Sequence, residues 1–273
     1  MKRALPAVLV HALLVLGAFV TLTPLLWMVS ASFMPAGQAS SFPPPLLPKG
    51  PTLAHYVDLF TKLDLARDFV NSLFVTVGVT LFSLVANSMA GYAFAKLRFS
   101  GRDATFQFLI AALVIPAQVG MLPLFLIVKG LGLVNTLWGV MIPGLATVFG
   151  IFMIRQFALS IPDELLDAAR IDGAGEFRIY WTIVLPVLRP ILVTMATFSF
   201  LSAWNDFMWP LIVVSDGSRY TLPVALANLV GEHVQDAELM MAGSVLTVLP
   251  VLAVFLVMQR SYVKGVLMGS VKG

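Results

Sequence analysis

The chain of 273 residues is 59% hydrophobic and only 11% charged, with a mean hydropathy of +0.93, so it has too little polar surface to cover itself in water. That composition excludes an ordinary soluble domain and points to a membrane. The formal charge of +3 is small and forms no dense basic block that would suggest nucleic acid, while the absence of cysteine and the wide spacing of His11, His55 and His233 leave no disulfide framework and no metal-ligand pattern.

A helix needs about 20 mostly apolar residues to cross a hydrocarbon core. Six windows of that kind occur, at 7–32, 69–95, 105–128, 137–157, 190–213 and 239–259, which predicts an all-α membrane protein with six transmembrane helices in one transmembrane domain over 1–273. The first window follows Lys2 and Arg3 and ends near Ser30, Ala31 and Ser32, which could pass for a cleaved signal. Its apolar stretch is longer than a usual signal core and five further spans follow, so an uncleaved first helix is expected.

The segment from Met34 to Asp68 carries Pro43, Pro44, Pro45, Pro48 and Pro51, which predict an extended, ordered loop. Further prolines at 24, 116, 123, 143, 210 and 250 fall inside the spans and should bend them. With the N-terminus inside, Lys2, Arg3, Lys96, Arg98, Arg102, Arg155, Arg170, Arg178, Arg189, Arg260, Lys264 and Lys272 collect on the inner side, leaving Lys49, Lys62, Arg67, Lys129 and Arg219 outside. The positive-inside rule therefore favours both termini in the cytoplasm.

Between the fourth and fifth spans, residues 158–189 form a polar interruption. Ser160 is a candidate N-cap, Pro162, Asp163 and Glu164 suit a first helical turn, and Gly173 suits a left-handed C-cap, so a short helix is expected through Leu165, Leu166, Ala168, Ala169 and Ile171. A second helical stretch from Glu176 to Leu185 should lead to Pro186. An amphipathic helix lying on the inner leaflet, held by Arg170 and Arg178, is the plainer alternative. The acids Asp163, Glu164, Asp167, Asp172 and Glu176 oppose it, because an anionic surface repels them.

The spacing of Asp167, Ala168, Ala169, Gly173, Ile183, Leu185 and Pro186 resembles the EAA loop of ABC importer permeases, with Asp167 where the family usually has Glu. Gly91 to Arg102, the triplet Asp172, Gly173, Ala174, the stretch from Trp204 to Leu211, and the tail from Gln259 to Gly273 are similar to sugar permeases, most of all to the smaller permease subunit of maltose-type carbohydrate importers. The resemblance implies a type I importer permease whose short helix is a coupling helix. Glu164, Asp167, Ala168, Ala169, Asp172, Gly173, Leu185 and Pro186 would then serve ATPase coupling, and Lys264, Lys272 and Gly273 would form a tail contacting the ATPases.

The implied partners are a second permease subunit, two copies of a cytoplasmic ATP-binding subunit and an external or periplasmic solute-binding protein, all working at a bacterial or archaeal inner (cytoplasmic) membrane. The sequence holds no Gly-Lys pair and hence no phosphate loop. No cofactor is expected on this chain and no catalytic residue is assigned, with ATP and Mg belonging to the partner ATPases.

Asp206 is the one acid placed inside a span. With Asn205 and Gln118 it is a candidate pathway or interface residue, weighed against an interfacial carboxylate beside Trp204 and Trp209. Asn71 and Asn87 should face other helices. The external segment from Ser215 to Glu238, with Asp216, Glu232, Asp236 and Glu238, resembles the region that meets the binding protein, or is a plain solvated loop. An ion-coupled secondary transporter using Asp206 is the alternative of a different class. A membrane-bound enzyme lacks any apparent nucleophile with a base.

Overall fold

The computed structural model describes the backbone of residues 4–232 and 236–270, and the side chains of 9–229 and 236–259. Helices among them are α1 Ala4–Ala31, α2 Ala54–Thr61, α3 Leu65–Lys96, α4 Arg102–Ala112, α5 Met121–Gly130, α6 Leu137–Met141, α7 Val148–Ala158, α8 Asp163–Ile171, α9 Glu176–Ile179, α10 Leu185–Trp204, α11 Met208–Val213, α12 Leu222–Glu232 and α13 Ala237–Ser270. Five helical stretches are long and apolar enough to cross a bilayer, and the bent pair α4 and α5 makes a sixth when counted as one span. The residues group into two compact units, 1–66 with 225–250 and 67–224 with 251–273.

In the first unit, α1 runs for 28 residues, about 42 Å, and from Leu9 onward leaves most of its apolar side chains exposed, as a lipid-facing helix must. The hydroxyls of Thr21 and Thr23 donate to the carbonyls of Gly17 and Phe19 one turn back, so neither is left unpaired in an apolar surface. The segment expected to be an extended loop is ordered but not extended throughout, because it runs through turns and bends and then through α2 and the first residues of α3, and side chains tie its proline-rich part to α1 and to itself. Trp27 Nε1 donates to the Pro45 carbonyl (3.1 Å), Ser30 Oγ to Leu46 (2.6 Å), and Lys49 N to Gln38 Oε1 (3.0 Å).

Two of the acids assigned to the external segment turn out to be structural. Asp236 accepts from Leu239 N (2.8 Å), capping α13, and lies 3.6 Å from His55 Nδ1. Glu238 is fully buried and accepts from Ala39 N (2.6 Å). The plain solvated loop is therefore wrong at this end, because both carboxylates satisfy backbone donors of the same unit. The side chain of Glu232 lies outside the described residues.

In the second unit, α3 is amphipathic in the sense opposite to a soluble helix. Ser72, Thr76, Ser83, Asn87, Ser88 and Tyr92 are buried, whereas Val70, Leu73, Val77, Leu81 and Val85 are exposed. Lipid rewards this arrangement, since it solvates apolar side chains and leaves hydroxyls to find protein partners. Ser83 meets Ser199 (2.9 Å), Ser88 meets Tyr180 (2.6 Å), and Ser72 Oγ accepts from Leu222 N (2.6 Å). Asn87 binds Thr147, accepting from its N (2.9 Å) and donating to its Oγ1 (3.2 Å), and Asn71 donates to the carbonyls of Ser218 and Tyr220. The N-cap of α7 is Thr147 itself.

Two expected spans differ in shape. The third is not one straight helix, because α4 and the helical residues from Ala117 meet at 101°. Pro116 has no N–H to continue the ladder and drives Ile115 away from helical backbone angles, so the chain breaks at 113–116 and resumes through a 3-10 turn, Ala117–Gly120. The fifth begins earlier than 190. The apolar window covers Glu176–Trp204, and the chain breaks at 205–207 before α11. Pro186 does not end a helix here. A π-helical turn, Tyr180–Val184, leads directly into it, with Leu185 N bonded to the Tyr180 carbonyl, so α9 and α10 are continuous.

Gly91 allows α3 and α7 to touch, since a Cβ there would lie 2.7 Å from Ile154 Cγ2. Gly91→Leu should destabilise the protein by about 1–3 kcal/mol through overpacking, read as a lower thermal midpoint of the detergent-solubilised chain, whereas an unchanged midpoint would show that the two helices do not pack this closely.

Candidate functional site

The interruption at 158–189 is polar, and its local structure follows from its residues. Ser160 does not cap α8, because its hydroxyl turns back to the Phe157 carbonyl (2.7 Å) and closes α7 instead. Pro162 occupies the N-cap, and Asp163 and Glu164 fill the first turn, where the helix dipole favours negative charge. At the other end Asp172 is the C-cap and Gly173 follows with φ +82°. Gly173 N bonds to Arg170 O and Ala174 N to Ala169 O, both at 3.0 Å, which is the complete Schellman pair. A Cβ at Gly173 would meet nothing within 4 Å. The constraint on that position is therefore backbone strain, on the order of 1–2 kcal/mol for an L residue, and not crowding.

α8 is anchored by one apolar residue and two ionic groups. Leu166 is fully buried in a cluster with Tyr92 and Ala95 of α3, Ile154 and Ala158 of α7, Ile161, Ile179 and Leu188, and Ala169, Ala174 and Leu185 pack against that cluster. Lys96, the last residue of α3, has a side chain only 7% exposed. Its ammonium donates to Ile161 O (2.6 Å), Asp163 Oδ1 (2.7 Å) and Leu159 O (3.4 Å), which uses all three of its donors. One cation thus closes the C-terminal end of α7 and holds the first residue of α8.

Arg170 makes the second tie. Nε donates to Glu176 Oε1 (2.8 Å) and Nη1 to Asp167 Oδ1 (2.6 Å), while Tyr92 OH donates to Glu176 Oε2 (2.7 Å). The chain Tyr92, Glu176, Arg170, Asp167 links α3, the start of α9 and α8. Exposed pairs of this kind contribute only about 0.2–1 kcal/mol each, so their effect is to fix orientation more than to stabilise. Arg170 therefore points along the protein surface to two carboxylates, which leaves it poorly placed to hold a lipid surface.

What remains exposed on α8 and its flank is a mixed patch. Ile171 is 86% exposed, Phe177 71% and Leu165 44%, with Glu164, Asp167, Ala168, Asp172 and Gly173 exposed around them. Leaving Ile171 and Phe177 in water is unfavourable, and such residues rimmed by charge mark a contact surface. Of the residues expected to couple, the structure brings Glu164, Asp167, Ala168, Asp172 and Gly173 onto this surface, leaves Ala169 half-buried, and turns Leu185 toward the core beside exposed Pro186.

The candidate pathway residues lie in two helix breaks. Asn205 is the C-cap of α10, its amide donating to Leu201 O (2.7 Å), and Asp206 Oδ1 accepts from Trp209 N at 3.4 Å, near the start of α11. Gln118 sits exposed in the 3-10 turn before α5. The proposed tail is only partly visible. The backbone of Lys264 continues α13, its side chain is not described, and Lys272 and Gly273 lie outside the described residues. No group of His, Cys, Asp and Glu among the described residues could hold a metal ion.

Sequence reading missed Lys96 and Tyr92 as parts of this site. Lys96 looks like an ordinary basic residue at a span end, and nothing in its neighbours signals a partner 67 positions away. The glutamate at 176, whose spacing from Arg170 does allow a pair, was the one available hint.

The fold is that of a helical membrane protein with a short, capped helix, α8, between its fourth and fifth spans. Residues 87–267 match the family described as binding-protein-dependent transport system inner membrane component, and the chain belongs to that family. It is 38% identical over 263 residues to the arabinooligosaccharides transport system permease protein AraQ of Halalkalibacterium halodurans, covering 94% of this chain and 93% of that one. It is 32% identical over 273 residues to the lactose transport system permease protein LacG of Rhizobium radiobacter, covering 100% and 98%. Among solved structures, a chain of a bacterial ABC transporter that imports the polysaccharide alginate superposes with a TM-score of 0.84 at 24% identity, covering 95% of this chain and 97% of that one, which establishes the fold. Family membership displaces the ion-coupled alternative.

The hydrogen bond from Lys96 holds the Asp163 carboxyl below its ordinary value of 3.8. The pair therefore stabilises the protein above that ordinary value, and the contribution is lost as pH falls through the lower, folded-state value. Asp163→Asn should lower the thermal midpoint at pH 6, and the gap to the parent protein should narrow as the pH falls below 3.8. A difference that persists unchanged at pH 3 would place the Asp163 contribution elsewhere.

Proposed function

We propose that this chain is one of two permease subunits of an ATP-driven importer for a sugar or oligosaccharide, and that α8 is its coupling helix. The whole of 1–273 acts as one permease domain, with both termini in the cytoplasm and α8 on the cytoplasmic face. A second permease completes the pathway, two cytoplasmic ATPase subunits hold ATP and Mg, and an external binding protein delivers cargo. The carbohydrate reading is supported by the relatives, which are named for arabinooligosaccharides and lactose.

The observation that carries the coupling reading is a rigid helix that exposes apolar residues. Leu166, Lys96 and Arg170 fasten α8 to α3, α7 and α9, so a force applied to Ile171 or Phe177 is transmitted to helices that cross the membrane. The partner surface that fits is an apolar hollow with a basic rim, matching Leu165, Ile171 and Phe177 surrounded by Glu164, Asp167 and Asp172. On this reading the tail of Lys264, Lys272 and Gly273 adds a second ATPase contact. Gln118, Asn205 and Asp206 face cargo or the second permease, since non-helical backbone at membrane depth persists only where protein or water covers it.

Ile171→Asp should weaken ATPase binding about tenfold or more, the scale of one lost anchor at an interface. The readout is the amount of ATPase subunit that co-purifies with the permease pair, alongside ATP-driven uptake in proteoliposomes. Undiminished co-purification and uptake would overturn α8 as the docking element.

A further inference from the structure

We infer that the proline-rich loop between α1 and α3 is a membrane anchor that inserts apolar side chains into the lipid interface at the end of α1. Phe42 is 99% exposed, Leu46 75% and Leu47 74%. Three large apolar residues held this far from any neighbour need a cover, and the loop's own hydrogen bonds indicate which one.

Pro45 and Leu46 are the residues whose carbonyls Trp27 and Ser30 grip, and both donors lie in the last turn and a half of α1. α1 is a candidate span over Leu9–Ala31 with none of its most apolar window buried in the protein. Its flank is therefore lipid, and the Leu46 backbone is held against the final turn of that flank. The depth follows from the helix: Trp27 lies about 6 Å, four residues, inside the end of α1. Tryptophan is favoured at that level of a bilayer because its ring is apolar and its N–H needs a partner, which here is the loop itself.

Charge supports the same occupant. From Met34 to Val57 the chain contains no Asp or Glu and a single cation, Lys49, whose stem can reach back along an apolar surface to the headgroups. The loop continues into α2, where His55 and Leu59 are buried on one side while Leu53, Val57 and Phe60, at helical spacing, remain exposed. Short amphipathic helices with an outward apolar stripe lie in the interface plane. The prolines stiffen the loop, so its apolar residues are presented without the ordering cost that a flexible loop would meet on insertion.

The occupant is phospholipid, at the headgroup and upper-acyl level. In the orientation proposed above, this is the outer leaflet. The second permease or the binding protein covering the loop are outcomes that the test distinguishes.

The chain has no cysteine, so Phe42→Cys and Leu47→Cys each give one nitroxide attachment site on it, with cysteine-free partner subunits in the full complex in lipid nanodiscs. Both labels should collide more readily with oxygen than with a water-soluble nickel complex, at a depth just below the phosphates and unchanged by added binding protein. A label that favours nickel, is shielded from both reagents, or changes when the binding protein is added would overturn the anchor. In proteoliposomes, reduction by an impermeant reagent from one side reports the leaflet separately. An inner-leaflet label would therefore contradict the orientation without contradicting the lipid contact. Two positions at opposite ends of the rigid turn guard against one variant failing to assemble, with ATPase activity as the check of assembly.

Discussion

The ammonium of Lys96 is the contact on which the rest of the site depends. It is nearly buried at the end of a 32-residue helix, and it joins three things that the sequence keeps apart: the last turn of α7, the bend at Ile161, and the first carboxylate of α8. A buried cation is costly unless every proton is taken. Here two carbonyls and one carboxylate take them, so the cation leaves the backbone between α7 and α8 little freedom to reorganise. Losing one contact leaves the ammonium short of a partner in a side chain only 7% exposed.

The remainder of the second unit extends that rigidity into the membrane. α3 carries a buried polar seam from Ser72 to Tyr92, and at its C-terminal end Tyr92 enters the chain of Glu176, Arg170 and Asp167. Lipid gives no hydrophobic reward for burying one apolar face over another, so helix association relies on such hydrogen bonds and on close contacts like that at Gly91. The same seam therefore holds the helices together and connects them to α8. The helices are interrupted elsewhere, at the breaks 113–116 and 205–207, and the neighbouring side chains Gln118, Asn205 and Asp206 are polar.

Much of this was legible in the residues. The apolar windows mark the membrane helices because hydropathy is a local property, and the short helix at 163–171 is written in Pro162, Asp163, Glu164 and Gly173, whose preferences are equally local. Boundaries failed where a local signal had two meanings. Ser160 reads as an N-cap but closes the preceding helix, and the fifth span, expected from 190, already starts at Glu176 because a π turn carries the helix through Pro186. Asp236 and Glu238 read as acids of a binding-protein contact or of a solvated loop, yet they bond to backbone donors, one of them 199 residues away in the chain. Lys96 was invisible as a site residue for the same reason, since long-range pairing leaves no trace in spacing.

The most direct test of α8 as the element moved by the ATPase is a photocross-linking amino acid placed at Ala168, on the exposed face of the helix. In inner-membrane vesicles containing the whole importer, irradiation should attach this chain to the ATPase subunit and stop ATP-driven uptake. Cross-links confined to lipid or to the chain itself, with uptake intact, would contradict the account.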